Sequence, residues 1–460
     1  MTSPSGGSPA LLRQLGLVSA TALVVSNMVG TMIFTATGFQ AGDLGSPSLI
    51  LLIWAVGAVC ALAGAFCYSE LGVNFPSSGG EYVYLTRAFG PSWGFMTGWV
   101  SFFAGFSGPI AGAALAFSAY LGHFWPALSP EQTIASFGPD WFVIKVGGAQ
   151  FAAAGLILAF TAINCIGVRP TANLQNVLTA TKVLVVLAFI CLGLIMGNGN
   201  WAHLSQNAVR TSTLPIESQF AVSMFWVYVG YSGWNAATYI AEEIRQPVRT
   251  LPLALTIGTV LVALLYLGLN VTYIYSTPLE QMKGVMAIGR LSASNLFGPT
   301  GAAIFAGLMA ISLMSTVNAM VTIGPRVYYA MAKNRAFPER AASVHPKFHT
   351  PMFAIICQGV CAALMTLTPF PDLVLYIAVL LNAFASMAVA SLFVLRKRPG
   401  WQKLPVVSFA WPLVPAIFIV VGVWMTAFGI TVNPRVTFAA LATVALGAIY
   451  YRARRGDLPQ

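Results

Sequence analysis

NMVGTMIFTATG, residues 27–38, interrupts an otherwise apolar run near the N-terminus. The run before it (15–25) and the run after it each read as half of a membrane helix. Two glycines, three threonines and an asparagine in the middle of a span need a reason. A helix broken at mid-depth exposes backbone N–H and C=O groups that lipid leaves unsatisfied, so a break persists only where it lines a cavity or meets a ligand. Gly30 lets the chain leave the helix at little steric cost. A second half-helix is expected to begin near Thr31. Its free N–H groups and positive dipole end attract an anion such as a carboxylate. The carbonyls that end the first half attract a cation such as an ammonium.

Composition supports a membrane setting for this break. The chain has 460 residues, 57% hydrophobic and 8% charged, with mean hydropathy +0.78. Soluble domains carry roughly 25% charged residues. The polar start MTSPSGGSPALLRQLG lacks a basic region followed by a small-residue cleavage site, so the first apolar segment is expected to remain as a span. Runs that can cross ~30 Å need about 20 residues as a helix. Twelve are predicted, at 15–38, 48–71, 92–121, 142–166, 174–197, 218–241, 252–275, 300–324, 352–370, 373–395, 406–428 and 434–451. They are too long and too continuous for barrel strands. The fold class is therefore all-α and polytopic, one domain over 1–460.

Of the 23 Lys and Arg residues, seventeen fall on the side of the termini and five on the other. Lys182 lies within span 5. The bias predicts both termini in the cytoplasm of a multi-pass cell-membrane protein. It also accounts for the net charge of +11 without nucleic acid, anionic lipid headgroups being the expected neighbour. The six cysteines lie in or at the ends of spans without metal-ligand spacing, and read as small packing residues.

A second interruption follows about 200 residues after the first. FWVYVGYSGWNAATYIAEEI, residues 225–244, places Gly230 and Gly233 inside span 6. Spans 2 and 7, and spans 5 and 10, share a similar offset. Five spans is an odd number, so two five-span repeats, 15–197 and 218–396, must lie in opposite orientations, with spans 11 and 12 at 406–451 added. Paired broken helices in inverted repeats point to a transporter's substrate site. Glycines at one position alone would read as close helix packing. A zwitterion fits between two breaks.

Four stretches now carry a resemblance: VGTMIFT, CYSELGVNFPSSGGEYVYLTRAFG, GYSGWNAATYIAEEIRQPVRTLPLAL and STVNAMVTIGPRVYYAMAKNRAFPERAASVHPKFHTP. In this order they resemble the amino acid–polyamine–organocation superfamily, and within it the L-type amino acid transporter-like group. The resemblance implies spans 1, 2, 6 and 7 rocking against spans 3, 4, 8 and 9. It implies that the substrate carboxylate meets Thr31 and the N–H of Met32, and that the ammonium meets carbonyls at Met28, Val229 and Ser232. Gly30, Gly230 and Gly233 complete the implied pocket, and Asn235 reads either as a lining residue or as a hydrogen bond between helices. Met32 replaces the family's second glycine. Val229 stands where many relatives have an aromatic gate, a role that Phe225, Trp226 or Tyr231 could take over. The resemblance also implies that Lys182 bonds the span 1 break and a span 8 hydroxyl, Ser315 or Thr316, in the place where sodium-coupled relatives hold Na⁺.

On burial cost alone, Lys182 is a functional candidate, with snorkelling to a surface as the other reading. Glu70 and Glu81 flank the first inner loop and are expected in solvated or helix-end roles. Glu242 and Glu243, beside Arg245 and Arg249, are expected in ion pairs at the inner gate or in structural pairs. Arg326 reads as an interfacial anchor, and Tyr376 and Asn382 as lining residues of span 10. No acid is expected at mid-depth, which favours a neutral side chain on the substrate. No nucleotide or metalloprotease motif appears, so no enzyme activity, cofactor or metal is expected.

The function expected is sodium-independent exchange or uniport of neutral L-amino acids by alternating access. Cationic amino acid, polyamine or proton-coupled transport are the alternatives within transport, and a channel or membrane sensor outside it. The outer loop GHFWPALSPEQTIASFGPDW has no cysteine. In the heteromeric relatives a cysteine there joins a heavy chain, so no disulfide-linked partner is expected.

Overall fold

The computed structural model describes residues 13, 15–77, 79–130, 132–138, 143–166, 168–348, 350–432 and 434–453. Helices follow all twelve predicted runs. Span 2 is Pro47–Asn74, span 3 Pro91–Leu121, span 4 Gly148–Ile166 and span 5 Val168–Met196. Span 7 is Pro247–Ser276, span 8 lies within Ile288–Lys333, span 9 is Met352–Met365 and span 10 Phe370–Leu395. Spans 11 and 12 are Leu413–Val432 and Pro434–Ala453. Among the described residues, eight helices are long and apolar enough to cross a bilayer on their own. Spans 1 and 6 are not, because each is divided, and span 9 and the searched part of span 11 (Leu413–Phe428) are shorter apolar helices.

Span 1 is Leu17–Met28, a 3₁₀ turn Met32–Phe34, and a helix Ala36–Leu44. The second half-helix thus begins five residues later than the expected Thr31. The Thr35 hydroxyl competes for the backbone there, donating to the carbonyls of Thr31 (3.2 Å) and Met32 (3.4 Å). Span 6 is Ile216–Tyr231 followed by Ala236–Glu243, whose geometry is 3₁₀ rather than α. Its break is at Ser232–Asn235, where Gly233 takes φ +100°. Gly230 lies inside the first half, so it is a packing glycine and not the hinge.

Span 3 contains a π-helical turn, Ser101–Ser107, just before Pro109. Proline lacks the N–H that would continue the α ladder, and the wider turn absorbs the mismatch. An unforeseen antiparallel hairpin precedes span 4: β1 (Thr133–Phe137) lies in the predicted outer loop, and β2 (Ile144–Gly147) takes the first part of the run 142–166, so the helix starts only at Gly148.

Span 2 packs along spans 6 and 7. A Cβ on Gly57 would lie 2.3 Å from Val227 Cγ1, and one on Gly64 would lie 2.6 Å from the Trp234 ring. Helix association in lipid depends on such close backbone approach more than on a hydrophobic drive.

Two faces are defined by contacts. On one, the N–H of Leu15 donates to the Glu243 carbonyl (2.9 Å), and Arg245 N–H donates back to Leu15 (2.8 Å). The same face carries Arg398 bonded to the Arg87 carbonyl and the pair Arg396–Glu70. It is called the basic face below. On the opposite face, Gly284 N–H donates to the Gly38 carbonyl (3.0 Å), and Arg210 Nε donates to the Asp43 carbonyl (3.0 Å).

Candidate functional site

The two breaks face one another across a cavity of about 430 Å³. Asn27, Met28, Gly30, Thr31 and Met32 line it from span 1, and Val229, Gly230 and Ser232 from span 6. Apolar side chains of spans 8 and 10, Met320, Phe370, Val374 and Ile377, form much of the remaining wall. No charged side chain is among the lining residues.

The backbone at the span 1 break is selectively unsatisfied. Gly30 N–H is used, donating to the Met28 carbonyl (2.7 Å). The next three N–H groups, of Thr31, Met32 and Ile33, donate to no acceptor among the described residues. Successive free N–H groups form an anion-binding concavity. This is the feature expected of a carboxylate site, supplied by a 3₁₀ turn instead of an α-helix start. Met32 keeps its N–H, and its side chain packs with Phe370 and Val374.

The carbonyl side differs from expectation. The Met28 carbonyl accepts from Gly30 N–H and from Tyr266 Oη (2.5 Å). The Val229 carbonyl accepts from Ser232 N–H (3.1 Å) and Ser232 Oγ (2.7 Å). A carbonyl oxygen has two lone pairs, so both are occupied. The Ser232 carbonyl takes no hydrogen bond among the described residues, and neither does that of Asn27. These two carbonyls are the open acceptors at the breaks.

Lys182 is 1% exposed and does not snorkel. Its ammonium donates to the carbonyls of Ser26 (3.2 Å) and Val29 (2.7 Å) and to Thr316 Oγ1 (2.7 Å). All three donors are thereby used. Thr316 Oγ1 also donates to Val29 (3.1 Å). Ser315, the other expected partner, instead bonds Ser26 Oγ (3.0 Å) and Gln175 Nε2 (3.1 Å).

Sequence reasoning missed Tyr266. Its hydroxyl lies between the breaks, on the Met28 carbonyl and on that of Gly230 (2.9 Å). The only signal was a hydroxyl in the apolar run LLYLGL. A polar ladder was missed too. Gln175 donates to Ser26 (2.6 Å), Asn318 to Gln175 (2.8 Å), Asn164 to Asn318 (3.0 Å) and Thr322 to Asn164 (2.8 Å). Arg326 bonds the Thr322 carbonyl and pairs with Glu243 at 3.1 Å. Arg326 is therefore an ion-pair partner that joins span 8 to the end of span 6, rather than an interfacial anchor.

Several expectations are corrected. Neither Glu70 nor Glu81 is solvated, although Glu81 does take the expected helix-end place, in the first turn of Glu81–Phe89. Glu70 is buried, held bidentately by Arg396 (2.6 and 2.7 Å) and by N–H groups of Trp401 and Leu404. Glu81 accepts from Tyr68 Oη (2.6 Å) and Asn235 Nδ2 (3.1 Å). Asn235 thus lines a neighbouring cavity and not the pocket between the breaks. Val229 leaves no aromatic at its position, but Trp226 stacks on Phe39 at 4.9 Å, joining the two half-helices on the opposite face. Phe225 is buried in the core, and Tyr231 Oη bonds the Trp54 carbonyl (3.1 Å). Tyr376 bonds Thr443, and Asn382 bonds Gly422 and Thr426, so these tie span 10 to spans 11 and 12.

Comparison with known proteins agrees with this architecture. The family model "Amino acid permease" matches residues 15–450. The large neutral amino acids transporter small subunit 2 of Mus musculus is 29% identical over 98% of this chain and 82% of its own length. The serine/threonine exchanger SteT of Bacillus subtilis is 28% identical over 89% of each chain. The Asc-type amino acid transporter 1 of Mus musculus is 26% identical over 95% of this chain and 80% of its own. With its polytopic all-α fold and paired broken helices, the chain belongs to the amino acid permease family, whose work is amino acid transport and not catalysis.

Proposed function

We propose that this chain is a sodium-independent exchanger or uniporter of neutral L-amino acids that works by alternating access. The observation that carries the reading is the pairing of three free N–H groups at Thr31, Met32 and Ile33 with open carbonyls at Asn27 and Ser232 around one cavity. That arrangement suits a zwitterion. Its wall is apolar and uncharged, which suits a neutral side chain. The names of the relatives, large neutral amino acid and serine/threonine carriers, agree. Sodium independence rests on Lys182, whose ammonium supplies the positive charge at the junction of spans 1, 5 and 8.

In this reading residues 15–197 and 218–396 are the two inverted repeats, and the basic face is cytoplasmic. Relatives are named as a small subunit. Here the outer loop of residues 122–141 contains no cysteine, which supports work without a disulfide-linked partner. Cationic amino acids are the second reading, favoured by one observation, the buried carboxyl of Glu81 in the adjoining cavity.

The test is competition for uptake in proteoliposomes. Methyl esters and N-acetyl derivatives, each lacking one charge of the zwitterion, are expected to compete poorly with the free amino acid. An ester that competes as well as its parent acid overturns the pose.

A further inference from the structure

Glu70 and Glu81 are both buried acids at the basic face, yet they are handled differently. Glu70 is neutralised by Arg396 and saturated by N–H donors. Glu81 is 5% exposed and has no cationic partner. The three ion pairs among the described residues are Lys283–Glu280, Arg326–Glu243 and Arg396–Glu70. An unpaired buried carboxylate is costly. The two neutral donors on its Oε1, Tyr68 and Asn235, favour the ionised form without cancelling its charge.

Glu81 lines a cavity of about 600 Å³. That cavity shares Asn27, Pro109, Ser232 and Met320 with the pocket between the breaks, so the two adjoin. Glu81 is its one acid, and no base lines either cavity. Aromatic rings of Phe106, Tyr228, Trp234 and Tyr239 line the same space, and ring faces attract ammonium groups. Glu81 opens the helix Glu81–Phe89, whose Arg87 carbonyl bonds Arg398, so the cavity lies towards the basic face. Asn27 and Ser232, which carry the open carbonyls for the ammonium, border both spaces.

We propose that Glu81 makes this cavity a second, transient site for the ammonium of the amino acid, occupied as the substrate passes between the breaks and the basic face. The proposal deepens the transport reading and rests on it. A substrate leaving the breaks exchanges carbonyl dipoles for a full negative charge flanked by rings, which lowers the barrier to its release and raises its capture from that side.

The test uses the full chain in oriented proteoliposomes, with KM for a labelled neutral amino acid measured from each face. Glu81→Gln keeps the acceptor for Tyr68 and Asn235 and removes the charge. It is expected to raise KM at the basic face about tenfold, equivalent to ~1.4 kcal/mol, and to leave KM at the opposite face within about twofold. Glu81→Asp, which keeps the charge, should recover part of the loss.

The wild type supplies an independent arm. Burial pushes the Glu81 carboxyl above the usual carboxylate range, and the bonds from Tyr68 and Asn235 pull it partly back. The other ionisable groups that feel its charge are the phenols of Tyr68, Tyr84, Tyr228 and Tyr239, which are neutral near pH 7. Protonation removes the site, so KM at the basic face should rise as pH falls from 8 to 6 while the opposite face stays flat. An unchanged basic-face KM in Glu81→Gln, equal shifts at both faces, or a pH-independent basic-face KM in the wild type overturns the proposal. Wild-type protein that carries no neutral amino acid at all refutes the transport reading instead.

Discussion

The breaks of spans 1 and 6 open onto the same pocket, but they are held by different means. Span 1 is fixed from outside. Lys182 from span 5 holds the Ser26 and Val29 carbonyls, Thr316 from span 8 shares Val29, and Tyr266 from span 7 takes Met28. Span 6 is fixed largely from within. Ser232 folds back on the Val229 carbonyl through both its N–H and its hydroxyl, and Gly233 turns the chain at φ +100°. Tyr266, on the Gly230 carbonyl, is the contact common to both. A break satisfied by distant side chains is coupled to the elements that carry them. A break satisfied locally moves as a unit. Span 1 is thus the half whose backbone is held by spans 5, 7 and 8.

That contrast orders the expected losses. The largest belongs to Lys182→Met. It removes three charge-assisted bonds, each worth about 1.5–3 kcal/mol, and should reduce exchange in proteoliposomes at least ~1,000-fold. Retained folding is checked by monodispersity in detergent. Next is Gly233→Ala. A Cβ there would sit 2.8 Å from the backbone of Asn27 on a φ that costs ~1–2 kcal/mol for other residues, so a roughly 100-fold loss is expected.

Tyr266→Phe removes the one hydroxyl proton shared between the Met28 and Gly230 carbonyls, worth ~1.4 kcal/mol, and should cost about tenfold in Vmax/KM. Ser232→Ala removes a single local bond and should cost about fivefold, with thermal stability almost unchanged. A Ser232→Ala loss greater than that of Tyr266→Phe would reverse the contrast and make span 6 the dependent half.

The breaks themselves were legible because glycine and threonine stand out inside apolar runs. The exact start of the second half of span 1 was not, since the Thr35 hydroxyl's bonds to Thr31 and Met32 arise only once the turn forms. Lys182 was legible as a lone cation within a span. Its partner Thr316 was separated from Ser315 only by the rotation of span 8. Tyr266 was hidden because tyrosine in an apolar helix usually reads as core.

The ladder through Gln175, Asn318 and Asn164 has no local pattern, because its rungs come from spans 4, 5 and 8. Glu81 follows a Gly-Gly turn, the pattern of a surface loop. It is buried because Asn235 of the span 6 break and Tyr239 of its second half fold against that turn, where Gly79 N–H donates to the Tyr239 carbonyl (3.3 Å). Glu70 stands instead at the end of the apolar run 48–71. Its partner Arg396 lies 326 residues away.

The central claim is that the Lys182 ammonium fixes the span 1 break without a sodium ion. It is tested most directly by counterflow of a labelled neutral amino acid into preloaded proteoliposomes, with external Na⁺ replaced in turn by K⁺ and choline. The account predicts the same initial rate and the same plateau in all three salts. An inward Na⁺ gradient that drives accumulation above the exchange plateau would contradict it.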